Sequence, residues 1–134
     1  MELLEASRRR DIEKVKKLLS KGESPNFENN GMTALMHASG NGHIEMVELL
    51  LATGESHPER QDKNDKNTAL INASANGRTK IVELLLATGE SHPEYQNVAN
   101  KTALVYAQQY GYIEIVNLIE NYRPFEFKSA AKRK

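Results

Sequence analysis

Thirteen consecutive residues of this chain occur twice. The string Val-Glu-Leu-Leu-Leu-Ala-Thr-Gly-Glu-Ser-His-Pro-Glu at Val47 to Glu59 returns unchanged at Val82 to Glu94, 35 positions later. Chance does not copy so long a string, and a self-copy at a fixed offset marks a chain built from stacked repeats. The copy extends beyond the identical core. Thr33-Ala34-Leu35, Thr68-Ala69-Leu70 and Thr102-Ala103-Leu104 follow one another at intervals of 35 and 34 residues. Each is followed by Ala38, Ala73 or Ala107, then Gly42, Gly77 or Gly111, then Val47, Val82 or Val116. A fainter copy, with Ala6, Asp11, Ile12, Val15, Leu18, Leu19 and Gly22 at matching offsets, opens the chain without the Thr-Ala-Leu start. Four units are expected, at about 1–30, 31–65, 66–99 and 100–123, followed by a basic tail at 124–134.

The second unit shows what each must look like. Thr33 suits a helix N-cap, because its hydroxyl can accept from a free N–H of the first turn. Leu35, Met36, Ala38 and Ser39 then span about two turns, and Asn41-Gly42 ends the helix with a residue that tolerates positive φ. Ile44, Val47, Leu50 and Leu51 recur at three- and four-residue spacing and should line one face of a second helix, with Glu45 and Glu48 opposite. Gly54 closes it. The polar segment 55–67 returns the chain to the next threonine. Helices this short cannot bury an apolar face alone. Stacking one hairpin on the next solves the problem and gives a solenoid with neighbour-only contacts, its helices brought close by Ala38, Ala73, Ala107, Ser39 and Ser74. In the first unit, helices are expected over Glu2 to Arg9 and Ile12 to Ser20, the second opened by Asp11.

This pattern resembles that of the ankyrin-repeat family, which runs roughly Gly-x-Thr-Pro-Leu-His-x-Ala-Ala-x-x-Gly-His, then Val-Val-x-Leu-Leu-Leu, then Gly-Ala-Asp. The chain has Gly31-Met32-Thr33-Ala34-Leu35-Met36-His37-Ala38-Ser39, Gly42-His43, Val47-Glu48-Leu49-Leu50-Leu51 and Gly54-Glu55-Ser56. The resemblance covers nearly everything from Glu2 to Tyr122. It implies an all-α solenoid of four stacked helix-turn-helix units with extended finger loops. It departs from the family where Ala34, Ala69 and Ala103 replace proline and where Met36, Ile71 and Val105 replace histidine. The missing histidine removes a polar tie at the helix start, so looser finger turns are expected. Asn29-Asn30-Gly31 is the strongest turn signal among the fingers; the later ones fall near Asp65-Lys66-Asn67 and Ala99-Asn100-Lys101.

Composition narrows the function. There is no cysteine, so disulfide and thiol chemistry are excluded. No apolar run approaches the ~18 residues of a membrane span, and Met1-Glu2-Leu3-Leu4-Glu5 does not read as a signal peptide. A cytoplasmic location is expected. The net charge of zero conceals blocks of +3 over residues 1–22, −7 over 23–122 and +4 over 123–134. Lys14, Lys16, Lys17 and Lys21 give the first unit a basic outer side, as an end repeat needs a polar face. That stretch lacks the aromatics of a single-strand nucleic-acid platform, so no nucleic acid is expected as a partner. Lys132-Arg133-Lys134 resembles a nuclear import run, although short basic tails are common.

No constellation of chemistry stands out. His57 with Glu59 and His92 with Glu94 are candidate metal ligands by type. Wholesale duplication of a turn explains them better, and no metal or other cofactor is expected. Ser39, Ser74, His37 and His43 lack the third, orienting group of a nucleophilic site; His43 is replaced by Arg78 and Tyr112 in later units. No catalytic residue is assigned. Six of the eight aromatics fall between Tyr106 and Phe127. Phe125 and Phe127 are expected to fold back over the open end of the stack, or alternatively to support self-association of an otherwise monomeric chain.

The family resemblance implies a protein partner held by finger tips and first-helix ends along a concave groove. Mapped onto this sequence, the fingers offer Asn29, Asn30, Met32, Lys66, Asn67, Asn100 and Lys101, and the helix ends offer Arg8, Arg9, Asn41, Asn76 and Tyr110. Only Arg8, Arg9, Tyr110 and Met32 are of types that anchor interfaces. Two readings of use follow: an adaptor or scaffold for another protein, or a targeting accessory of a microbe or virus that presents a partner or enzyme. Both use the same surface.

Overall fold

The computed structural model describes residues 2–25, 28–29 and 31–123. Among them are eight α-helices: α1 Glu2–Arg8, α2 Ile12–Ser20, α3 Ala34–Asn41, α4 Ile44–Ala52, α5 Ala69–Ala75, α6 Thr79–Ala87, α7 Ala103–Tyr110 and α8 Ile113–Glu120. Each odd-numbered helix packs on the even one that follows it. The odd helices also pack on one another in sequence, as do the even ones, so the molecule has two helical layers. The odd helices approach one another more closely than the even ones do, which turns that side of the stack inward.

Local chemistry explains the elements. Thr33, Thr68 and Thr102 are extended, and each hydroxyl accepts from the backbone N–H three residues on, at 3.2, 3.1 and 3.3 Å. Such a cap is worth about 1 kcal/mol. Asp11 caps α2 in the same way. Gly42 and Gly111 end α3 and α7 at φ 78 and 74°. The small residues lie where expected: Ala38, Ser39, Ala73, Ser74 and Ala107 are fully buried between odd helices. One continuous core runs from Leu3 to Ile119.

Three expectations change. The apolar face of α4 is Met46, Val47 and Leu50, while Ile44 is 41% exposed and Leu51 only half-buried. At about 100° per residue, 46, 47 and 50 share one arc and 44 and 51 fall on its margin. The fingers are also tightly tied. Glu28–Asn29 and Met32–Thr33 form a small antiparallel hairpin closed at Gly31, whose φ is 81°. In the second finger the buried Asp62 carboxylate accepts from the N–H groups of Asp65 and Asn67, at 2.6 and 3.3 Å. In the third, Asn97 does the same for Ala99 and Lys101, at 3.0 and 3.1 Å. Carboxylate and amide ties within the loop thus replace the one lost with the family histidine. Further bonds join the loops. Val98 donates to Asp65 O, Gln61 to Gln96 O, and Asn97 to both Asn67 Oδ1 and the Tyr106 hydroxyl. Arg60 pairs with Glu28 across the first two. The first helix ends at Arg8 rather than Arg9, a one-residue fraying difference. The expected folding-back of Phe125 and Phe127, the self-association through them and the tail at 124–134 lie outside the described residues.

Candidate interaction surface

The return loops and the inner side of the odd helices carry the residues singled out in sequence, and their side chains fare differently. Lys66 and Asn100 occupy the turn position that Gly31 fills in the first finger, both at φ 61° and both exposed. Asn67 is half-buried, and its side-chain oxygen is taken by Asn97 at 2.9 Å. Asn76 donates to Asn72 O of its own helix at 2.8 Å, so its amide closes α5 more than it faces outward. Arg9 pairs with Glu5 at 3.0 Å, with both side chains mostly exposed. Arg8 and Asn41 are exposed, and Met32 is half-buried. Asn29 contributes its backbone to the hairpin; Asn30 lies outside the described residues.

Lys101 and Tyr110 are brought into one row. The Lys101 ammonium sits 5.5 Å from the Tyr106 ring centre and donates to Gln109 Oε1 at 3.3 Å. Tyr106 stacks toward Tyr110 at 6.2 Å, and Tyr110 meets Tyr112 at 5.9 Å. Tyr110 is 56% exposed. The row runs from the third finger along α7 to the turn before α8, combining a cation with three rings, the side-chain types that anchor interfaces. Tyr106 and Tyr112 were not picked out as partner residues in sequence. The four-residue spacing of Tyr106 and Tyr110 could have signalled them, since it places both rings on one helix face. Tyr112 is held by its neighbour unit: a Cβ on Gly77 would meet its ring at 3.0 Å.

The duplicated loops do not assemble a metal site. Nδ1 of His57 lies 3.2 Å from Glu59 Oε2, and Nδ1 of His92 lies 2.9 Å from Glu94 Oε2. Each histidine thus donates to the carboxylate of its own loop. Among the described residues, no three His, Cys, Asp or Glu side chains gather to hold a metal ion. No described helix is long and apolar enough to cross a membrane.

A family model for ankyrin repeats, three copies, matches residues 3–97 and 55–126. The chain belongs to the ankyrin-repeat family. Its two helical layers and its extended loops are those of an ankyrin solenoid, and ankyrin repeats are generally protein–protein interaction modules. No curated protein matches the sequence.

Proposed function

We propose that this ankyrin-repeat chain is a non-catalytic adaptor or scaffold that holds a protein partner through its finger loops and the inward face of its odd helices. The unit boundaries near 30, 65 and 99 and a cytoplasmic location belong to the same reading. The observation that carries it is the Lys101–Tyr106–Tyr110–Tyr112 row. The helices commit their small residues to the stack, yet α7 keeps Tyr110 more than half exposed and stacked toward Tyr106, over which Lys101 sits. An exposed ring already ordered by its neighbours loses little freedom when a partner covers it. Asn29, Asn30, Lys66, Asn67, Asn100, Arg8, Arg9, Asn41 and Asn76 would serve as the polar surround, with Met32 as an apolar contact among them. The test uses a partner recovered on immobilised protein and re-measured with purified components. Tyr110→Ala is expected to weaken binding about tenfold or more, the scale of an aromatic anchor, and Asn76→Ala less than threefold. The reverse order would sink the assignment.

A further inference from the structure

We propose that the turn-side ends of the first three helix pairs form a docking site for an acidic peptide segment of a protein partner, gripped by Arg8, Arg10 and Arg78. The inference rests on the adaptor reading and adds the chemistry of the partner.

The first observation is backbone strain at Arg10. Its φ is 59°, and the equivalent positions in the later units are Gly42, Gly77 and Gly111, at 78, 72 and 74°. A side chain is disfavoured there for any L-residue. The first unit nevertheless keeps an arginine, and strain retained at one copy of a repeated position points to a use for that side chain.

The second observation is convergence. Arg78 reaches back to the preceding helix pair, where its Nε donates to Gly40 O at 3.1 Å. Three guanidinium atoms lie 3.1 Å from where a Cβ on Gly42 would be. Only glycine leaves room for a cation beside His43. Arg10 and His43 line a cleft of about 330 Å³ together with Ile12, Glu45 and Met46. Arg8, the last residue of α1, is close enough to His37 to repel its charged form. Arg10 and Arg78, 68 residues apart in sequence, thus both come to His43, with Arg8 beside His37.

The third observation is charge. Among the described residues, no carboxylate forms an ion pair with Arg8, Arg10 or Arg78. Helices α3, α5 and α7 carry no acidic residue at all. The acidic excess of residues 23–122 lies instead on the even helices and the return loops. Glu45 is the one carboxylate in the cleft.

Guanidinium groups match carboxylates with paired N–H donors, and Ile12 offers an apolar wall for a neighbouring side chain. The rings at its edge, His37, His43 and Tyr112, are all half-buried, and Tyr112 is packed over Gly77, so none stands free for a base to stack on, which favours a peptide over a single-stranded nucleic acid. The histidines supply a built-in reporter. Burial, and then Arg8, hold His37 below its ordinary value of 6.5. Burial, then Arg10, Arg78 and His37, do the same for His43. A bound anion offsets the cations, so imidazole titration by NMR should move upward for His43 on saturation.

The test measures binding of a labelled peptide of alternating Glu and Leu to the full chain by fluorescence anisotropy, with a Lys-Leu peptide and a thymidine oligonucleotide as controls. Arg10→Gly relieves the backbone and is expected to keep or raise the melting point. The same change is expected to weaken the acidic peptide about tenfold, as loss of a charge-assisted bond does. Arg78→Gln should do likewise, whereas Tyr110→Ala should leave this peptide unaffected. Equal binding of the oligonucleotide, indifference to Arg10→Gly and Arg78→Gln, or an unmoved His43 titration would overturn the proposal. A protein partner lost with Tyr110→Ala but indifferent to both arginine changes would sink this inference and leave the adaptor reading standing.

Discussion

Segments 47–59 and 82–94 share every residue, so their differences isolate the effect of surroundings. What is local is duplicated almost to the decimal. Thr53 and Thr88 cap their helices at φ −68°, ψ −23° and φ −68°, ψ −24°. Their hydroxyls donate to Leu50 O and Leu85 O at 2.8 and 2.7 Å, and accept from Glu55 and Glu90 at 3.1 Å in both cases. Gly54 and Gly89 sit at φ 74 and 75°, and His57 and His92 at 48 and 50°. What is contacted across the stack is not duplicated. Leu86 is buried, while Leu51 is half-buried. Pro58 is buried and Pro93 is not. Just past the copied segment the sequences part, and there His92 stacks on Tyr95 of its own loop at 4.6 Å, whereas the equivalent residue Arg60 is drawn to Glu28 of the preceding loop. The lesson is that thirteen residues fix their own backbone, and the neighbouring units decide which of their side chains are buried and paired.

Core truncation should test that division most strongly. Leu50 and Leu85 are both fully buried, so Leu50→Ala and Leu85→Ala are each expected to cost about 3 kcal/mol in urea unfolding, within about 1 kcal/mol of one another. Leu86→Ala should then exceed Leu51→Ala by about 1 kcal/mol, because more apolar surface leaves water at Leu86. Equal costs for this second pair would mean that surroundings matter less than the structure implies.

Gly54→Ala and Gly89→Ala sharpen the local half of the comparison. Nothing lies within 4 Å of a Cβ at either position, so only the positive φ resists the change. Each is expected to cost about 1 kcal/mol, and the two costs should agree within a few tenths. A clear difference by thermal or urea melting would show that the backbone of the copies is not set locally.

The smallest effect is pH-dependent. The hydrogen bond from His92 is the main cause holding the Glu94 carboxyl below its ordinary value of 4.5. A carboxyl lowered in the folded state adds stability above its unfolded value and loses it as the pH falls through the folded one. His92→Ala should therefore destabilise slightly at pH 7, by less than about 0.5 kcal/mol for so exposed a pair, and this increment should fade as the pH falls below the ordinary carboxyl value and through the lowered one of Glu94. An increment that persists in acid would place the role of His92 in its stack on Tyr95 instead.

Much of the fold could be read before any coordinates. The threonine caps, the glycine stops, the helix lengths and the small-residue seams follow from interactions within about five residues, repeated at a visible period. The candidate surface was only half legible. Tyr110 was visible as an anchor type and Lys101 as a finger residue, but their union through Tyr106 and Gln109 needed the third finger to lie along α7. Asn67 and Asn76 looked available in sequence and are engaged by Asn97 and Asn72. Finger tightness was misjudged because Asp62 and Asn97 do their work by accepting from backbone groups up to five residues on and, for Asn97, by bonding the next loop.

The sequence by itself determined the unit, its period and its family, since caps, turns and apolar spacing act along the chain. Only the tertiary structure decided that Met46 is buried and Ile44 exposed, that Pro58 is buried and Pro93 is not, and that Arg10 and Arg78 meet at His43. Those outcomes depend on residues one or two repeats away in sequence, which come together only when one hairpin buries its face against the next.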